Sequence, residues 1–218
     1  MIRHVIRVTF MMLVLYTMVG FCAREAAGQQ TPASREPIAR LVYNGETTAL
    51  LSHLAQRFGV TIGMEFAPHQ ERMQVKMELT DPTLPDVLNA IVESAPQYRW
   101  RESEGGFEIS PVTGGNPLLD ATVSSFQVTD VTQAEAIEQL MNLPEVRAGL
   151  GEMSLQFRSA DARMPERNGA RLSLRLQGVT VRQALHRIAE MSGSRFWALR
   201  RQGRRSAGEF ISIGNSER

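Results

Sequence analysis

The fold is decided by residues 75–109, which read VKMELTDPTLPDVLNAIVESAPQYRWRESEGGFEI. Apolar residues at every second position from Val75 to Leu79 predict a half-buried strand, because strand side chains alternate between two faces. From Leu84 to Ile91 apolar residues recur at three- and four-residue spacing, which predicts a helix with one apolar stripe. Two short strands flank the Gly105-Gly106 turn and form a predicted hairpin. The unit is therefore strand, helix, hairpin.

The same pattern returns farther along the chain. Residues 172–176 alternate, a helix is predicted after Thr180, and strands are predicted at 196–197 and 211–213. Trp100 and Trp197, the only two tryptophans, stand 97 residues apart. Four other pairs share this spacing: Leu79 with Leu176, Thr83 with Thr180, Leu88 with Leu185 and Ile91 with Ile188. One spacing at so many core positions predicts an internal duplication.

Each repeat begins with a further strand, helix and strand. In the first repeat these are predicted at 38–43, 47–58 and 60–66, with a turn at Asn44-Gly45. In the second they are predicted at 123–128, after the N-cap Thr132, and at 153–157. The sequence thus predicts an α+β fold of two tandem β-α-β-β-α-β-β modules, residues 38–112 and 119–214, joined by a linker at 113–118.

Residues 1–28 have the three regions of a secretory signal peptide: a basic start, an apolar run from Val8 to Cys22, and small residues up to Gly28. Cleavage near Gly28 would leave residues 29–37 as a disordered spacer and place the protein in the periplasm or outside the cell. The alternatives are an uncleaved membrane anchor, which would be the only membrane contact, and lipid attachment at Cys22. Phe21 stands where lipoprotein signals have a small residue, which disfavours lipid attachment.

Charge and cysteine content exclude several classes of function. The chain has 24 Lys and Arg against 23 Asp and Glu, and loss of residues 1–28 leaves 21 and 22. This near-neutral balance gives no support for a nucleic-acid partner. Cys22 is the only cysteine, so the cleaved chain would have neither disulfide nor thiolate metal site.

Residues 75–91, followed by Tyr98-Arg-Trp and Phe107-Glu-Ile, resemble the short N-terminal domain shared by bacterial secretins and TonB-dependent receptors. Residues 172–188 with 211–213 repeat the pattern. The resemblance implies a protein-interaction domain of the bacterial cell envelope, whose partner would be a secretin, TonB-linked or anti-sigma-type component. No plug, barrel or ring-forming region follows in this sequence, so a stand-alone adaptor is expected rather than a channel or receptor.

No motif in the sequence identifies a reaction. His53, His69 and His186 lack metal-ligand spacing, and a surface or helix-flank role is expected for each. Glu102, Glu104 and Glu108 surround a hairpin, where carboxylates are normally solvated. Gly193-Ser194-Arg195 lacks the pattern of a nucleophile elbow. We therefore expect a non-enzymatic protein with no cofactor, no metal and no catalytic residue.

Two features remain as candidate partner sites. Phe107, Ile109, Phe210 and Ile211 lie on the last strand of each module, where a free edge could accept a partner strand, unless the modules cover these edges themselves. Arg200, Arg201, Arg204 and Arg205 cluster on the last hairpin and could contact an acidic partner, or simply be solvated. Both tryptophans are expected to pack against the helix of their own module, the alternative being exposed interface anchors.

The sequence thus predicts a periplasmic adaptor that binds an envelope assembly through sheet edges or a helix face. Two alternatives stay open. One is a cell-envelope enzyme or inhibitor acting on peptidoglycan, which would need a cleft with converging carboxylates or histidines. The other is a structural protein of the envelope, tethered to the membrane by an uncleaved first segment.

Overall fold

The protein is described by a computed structural model that covers residues 35–68, 70, 72–103, 105–150, 154–155, 171–204 and 208–214. The predicted signal peptide and most of the predicted spacer lie outside these residues. So do Cys22, His69, Glu104 and Arg205. Within the described ranges, no helix is both long enough and apolar enough to span a membrane.

Strands and helices are mixed along the described chain, which confirms the predicted α+β class. The strands are β1 (Arg40–Glu46), β2 (Thr61–Glu65), β3 (Gln74–Thr80), β4 (Tyr98–Ser103), β5 (Gly106–Pro111), β6 (Thr122–Val131), β7 (Ser154–Leu155), β8 (Leu172–Thr180), β9 (Phe196–Arg204) and β10 (Gly208–Gly214). The helices are α1 (Thr47–Phe58), α2 (Leu84–Ser94), α3 (Gln133–Met141), α4 (Pro144–Leu150) and α5 (Val181–Met191). A 3-10 turn at Pro117–Asp120 precedes β6.

Six of the strands form one sheet in the order β4-β5-β2-β9-β10-β7. Antiparallel pairs β1-β3 and β6-β8 form two further small sheets. At the centre of the large sheet β2 runs parallel to both of its neighbours, pairing Ile62 with Phe107 on one side and with Phe196 on the other. The sheet therefore runs without a break through strands assigned from sequence to both modules. The boundaries drawn at 38–112 and 119–214 remain a prediction.

Buried apolar side chains form two clusters. The first lies around α1 and α2, and the second around α3 and α5. Strand β9 contributes to both because its side chains alternate between the faces of the sheet. Phe196 and Ala198 belong to the first cluster, whereas Trp197 and Leu199 belong to the second. The first cluster is therefore completed by residues that lie more than eighty positions beyond its own last strand.

Threonine caps begin three of the helices, as predicted. Thr83, Thr132 and Thr180 each accept a hydrogen bond from the backbone N–H three residues later, and the side chain at that later position bonds back to the threonine N–H. This reciprocal capping box satisfies two backbone donors that would otherwise lack a partner. Helix α1 instead follows Glu46 without a side-chain cap.

One local prediction was wrong, and one helix was not predicted. The Asn44-Gly45 pair was expected to form a turn, but both residues continue β1 and pair with Lys76 and Val75. Pairing along the whole of β3 keeps this segment extended despite its turn-like composition. Helix α4 was not predicted, because its seven residues are too few to display a helical period.

Candidate functional site: a buried ionic cluster

Four charged or titratable side chains are buried together where α5 packs on the large sheet. Glu65, Glu108, Arg182 and His186 are 2%, 2%, 7% and 3% exposed, respectively. Charged residues are almost never this deeply buried unless they are paired. We refer to these four residues as the buried ionic cluster.

The cluster is assembled from both halves of the chain. We call β1 to β5 with α1 and α2 the first half, and β6 to β10 with α3, α4 and α5 the second half. Glu65 ends β2 and Glu108 lies in the adjacent strand β5. Arg182 and His186 come from α5 and are four positions apart, which places them on one face of the helix. Since β2 also pairs with β9, the strand that follows α5, the guanidinium and the imidazole are held above the carboxylates of the first half.

Arg182 bridges both carboxylates. Its Nη2 lies 3.3 Å from Glu65 Oε2 and its Nη1 lies 3.7 Å from Glu108 Oε2. The Nε2 of His186 is 3.3 Å from Glu108 Oε1, so Glu108 faces both the guanidinium and the imidazole of the helix. Arg182 also reaches the exposed Asp120, with Nη2 3.4 Å from Oδ1.

Each buried carboxylate has a further partner from another segment. The Nη2 of Arg101, on β4, lies 2.8 Å from Glu108 Oε2. The backbone N–H of Asn116 donates to Glu65 Oε1. Asn116 belongs to the segment that connects β5 to the 3-10 turn, so Glu65 fixes the connection between the two halves as well as the helix above it.

The two carboxyl groups are shifted in opposite directions. Burial alone would raise the pKa of Glu108, but the close contact of His186, the hydrogen bond from Arg101 and the charge of Arg182 outweigh it and lower the pKa to about 2. For Glu65 burial is the largest effect, and the Asn116 N–H and Arg182 offset it only in part, so its pKa is raised. Glu108 is therefore the ionised anchor of the cluster.

An aromatic contact adjoins the cluster at the joint between β2 and β9. The ring of His186 meets the indole of Trp197 edge to face, with 5.5 Å between centroids. The indole in turn lies close to Gly63, where an added Cβ would sit 2.4 Å from Trp197 Cζ2. A glycine at this strand position therefore permits the close approach of the tryptophan.

This arrangement is suited to holding parts of the molecule together. Glu108 faces the guanidinium groups of Arg182 and Arg101, and Glu65 faces that of Arg182 and accepts from the Asn116 N–H. Buried ion pairs of this kind contribute little net stability, yet removing one partner is costly because a charge is then left uncompensated. Within the described ranges, no three His, Cys, Asp or Glu side chains come together as a metal site. The contacts of Arg182 join α5, and the strand β9 that follows it, to the first half.

The residues proposed from sequence for partner contact are placed differently. Phe107 and Ile109 are 4% and 0% exposed, and β5 is paired with β4 on one side and β2 on the other. Their assignment to a free edge was wrong, because the sheet continues past β5. Likewise β10, which carries Phe210 and Ile211, pairs with β9 and with β7.

Only one member of the arginine group has a described side chain. The guanidinium of Arg200 lies 4.9 Å from the ring centroid of Phe66, a cation–π contact between β9 and the residue after β2. Arg201 and Arg204 are described only as backbone of β9, and Arg205 lies outside the described residues. A role of this group in partner binding stays a prediction.

The tryptophans pack against their own helices, as predicted. Trp100 Nε1 donates to Asn89 Oδ1 of α2 at 2.8 Å, and Trp197 contacts His186 of α5. Asn89 and His186 are again 97 positions apart. Trp197 is fully buried while Trp100, on the outermost strand, is half-buried.

Sequence reasoning missed most of the buried ionic cluster. His186 was expected on a helix flank and Glu108 on a solvated hairpin, and both expectations were wrong because α5 covers that face of the sheet. A signal existed for Glu65, which is embedded in the apolar run from Val60 to Phe66. A charge inside such a run predicts a buried partner. No comparable signal marks Arg182, whose helix has an ordinary amphipathic pattern.

No protein-family model matches the chain, and no curated protein is significantly similar to it.

Proposed function

We propose that this protein is a non-enzymatic adaptor of the bacterial cell envelope, exported through its N-terminal segment. It would bind a secretin-like or TonB-linked component by adding a partner strand to its sheet. The resemblance of residues 75–109 and 172–213 to the short N-terminal domain of secretins and TonB-dependent receptors supports the class of partner. The observation that carries the proposal is the position of β4, which is the last of the described strands on one side of the large sheet.

We further propose that the chain is a tandem duplication of one module. In support, the strand order β4-β5-β2 of the first half matches β9-β10-β7 of the second, with the same parallel and antiparallel pairings. The pairs β1-β3 and β6-β8 also correspond. Five residue pairs spaced by 97 positions, together with Asn89 and His186, fall at corresponding places in these elements.

Among the described strands, β4 ends the large sheet on the side of the first half. The N–H of Val112 donates to the carbonyl of Gln97 at 2.8 Å, which makes these residues a hydrogen-bonded pair at the base of the β4-β5 hairpin. Because such pairs alternate along an antiparallel ladder, the main chains of Trp100 and Glu102 point away from β5. Their N–H and C=O groups are therefore available to a partner strand.

The test uses proline to remove one donor from this edge. The wild-type protein is expressed in the envelope of a Gram-negative bacterium, and the proteins that it retains on purification are identified. The affinity of each retained partner is then measured for wild type, for Glu102→Pro and for the matched control Glu102→Ala. Proline has no N–H, whereas Glu102→Ala keeps the donor and loses only an exposed side chain.

We expect Glu102→Pro to bind about tenfold more weakly, since one main-chain hydrogen bond and the strand geometry are lost, while Glu102→Ala binds like wild type. Equal affinity of all three proteins, or retention of no envelope protein by the wild type, would contradict strand addition at β4.

A further inference from the structure

The joint between β2 and β9 has the geometry of a strand added to a sheet. Ile62 to Glu65 of the first half pair in parallel with Phe196 to Leu199 of the second. The N–H of Ile62 donates to the Arg195 carbonyl and that of Phe66 to the Leu199 carbonyl, both at 2.9 Å. These main-chain bonds are the same as those that a partner strand makes when it docks on an open edge.

The side chains of β9 complete the apolar core of the first half. Phe196 and Ala198 fill the first apolar cluster, beside the fully buried Ile62 and Met64. On the other face, Gly63 leaves space for the indole of Trp197. The edge of β2 is thus shaped for one kind of occupant, a parallel strand with an aromatic residue over Gly63 and apolar residues on either side of it.

Arg182, on helix α5 that precedes β9, joins the second half to the first through charge. It is 8% exposed at its side chain and contacts both Glu65 and Glu108, and each carboxylate keeps a second partner of its own. Loss of Arg182 would leave Glu108 paired with Arg101 but would leave Glu65 with only the Asn116 N–H, so the joint would be weakened at Glu65. We call Arg182 a latch because a single side chain joins the two halves through charge. Each apolar cluster, in contrast, is held by many contacts.

We propose that β9 occupies in cis a strand-addition edge of the first half, and that Arg182 is the latch that keeps it there. When the latch is released, β2 accepts a parallel strand with the side-chain pattern of β9 from a partner. The contact between β2 and β9 is therefore autoinhibitory. This proposal rests on the proposed function only because both assume that a partner binds by strand addition.

Amide hydrogen exchange of the full chain tests the latch. In Arg182→Met, the Ile62 and Phe66 amides should exchange about tenfold faster than in wild type, because their acceptors lie on β9. The matched control is Arg101→Met, which also removes a guanidinium from Glu108 but lies within the first half. It should leave both amides unchanged.

The Val112 amide, bonded to Gln97 within the first half, distinguishes local opening from general unfolding. If the Val112 amide accelerates together with Ile62 and Phe66 in Arg182→Met, the whole molecule has been destabilised and the latch is wrong. The same conclusion follows if Ile62 and Phe66 do not accelerate, or if Arg101→Met accelerates them equally.

Occupation of the edge is tested with a labelled peptide of residues 194–201, SRFWALRR, against a scrambled peptide of the same composition. We expect the native peptide to bind Arg182→Met at least tenfold more tightly than wild type, and the scrambled peptide to bind neither. Adding Met64→Cys and Ala198→Cys, which are register partners on the joint, should abolish binding once the disulfide has formed.

Equal binding of the peptide to wild type and Arg182→Met, or binding that persists in the oxidised cysteine variant, would overturn the cis occupation of β2. Neither result bears on β4, whose test uses an envelope partner and Glu102→Pro. The two proposals can therefore fail independently.

Discussion

Glu108 is contacted by nitrogen-bearing side chains from both halves of the chain. Arg101 approaches from the neighbouring strand, while Arg182 and His186 approach from the helix of the second half. A carboxylate in this position is stabilised in its ionised form even though burial disfavours the charge. Its protonation therefore weakens contacts inside the first half and contacts between the halves at the same time.

The pH dependence of folding should report this group. Because the folded pKa of Glu108 lies near 2, below the ordinary value of 4.5, its stabilisation is complete above 4.5 and is lost as pH falls toward 2. A shift of this size corresponds to about 3 kcal/mol of unfolding free energy. Urea midpoints measured between pH 6 and pH 2 should fall steeply in wild type and more gently in Glu108→Gln.

Glu65 makes stability depend on pH in the opposite direction. Because the pKa of Glu65 is higher in the folded than in the unfolded protein, Glu65 contributes most to the unfolding free energy at a pH below its unfolded pKa. This contribution is lost as pH rises through the folded pKa. Glu65 is present in both proteins, so the difference in slope isolates Glu108. Parallel slopes below pH 4.5 would show that Glu108 is not held ionised by these contacts.

Helix α5 begins with a local signal that is independent of the cluster it carries. Thr180 accepts from the Gln183 N–H, and Gln183 Oε1 accepts from the Thr180 N–H at 2.8 Å. Thr180→Ala should lower the unfolding free energy by about 1 kcal/mol, because the N–H of Gln183 loses its acceptor. Thr180→Ser keeps the hydroxyl and should lower the unfolding free energy by only a few tenths as much as Thr180→Ala. Urea denaturation measures both losses. Equal losses in the two variants would assign the effect to the lost methyl group instead of the cap.

Such caps explain why the helices were predictable. Thr83, Thr132 and Thr180 were identified from neighbouring residues alone, and α1 was predicted with its observed bounds. Strand neighbours, in contrast, depend on segments far apart in sequence. Nothing near Phe107 indicates that β2 lies beside it, and so an interior strand was taken for an edge.

The buried ionic cluster was hidden from sequence reasoning for the same reason. Glu65 and Arg182 are separated by 117 positions and meet only because β9 joins the sheet next to β2. Gly63 carried a hint of that joint, since a glycine within an apolar strand often marks the close approach of another group. The sequence did not show which group approaches.

The molecule combines two apolar clusters with one continuous sheet. Two cores favour independent unfolding of the halves, whereas a shared strand that serves both cores favours a single transition. Phe196 and Ala198 favour the single transition. Unfolding of the second half would remove both residues from the first cluster and expose the edge of β2. We therefore expect the two halves to unfold together.

The two tryptophans allow each half to be followed separately. Trp197→Phe leaves Trp100 to report the first half, and Trp100→Phe leaves Trp197 to report the second. In each variant, the urea transition seen by tryptophan fluorescence should coincide with that seen by far-ultraviolet circular dichroism, which averages over both halves. Comparing probes within one variant removes the stability change that the substitution itself causes. A fluorescence midpoint displaced from the circular-dichroism midpoint in either variant would show that the joint between β2 and β9 yields before the cores do.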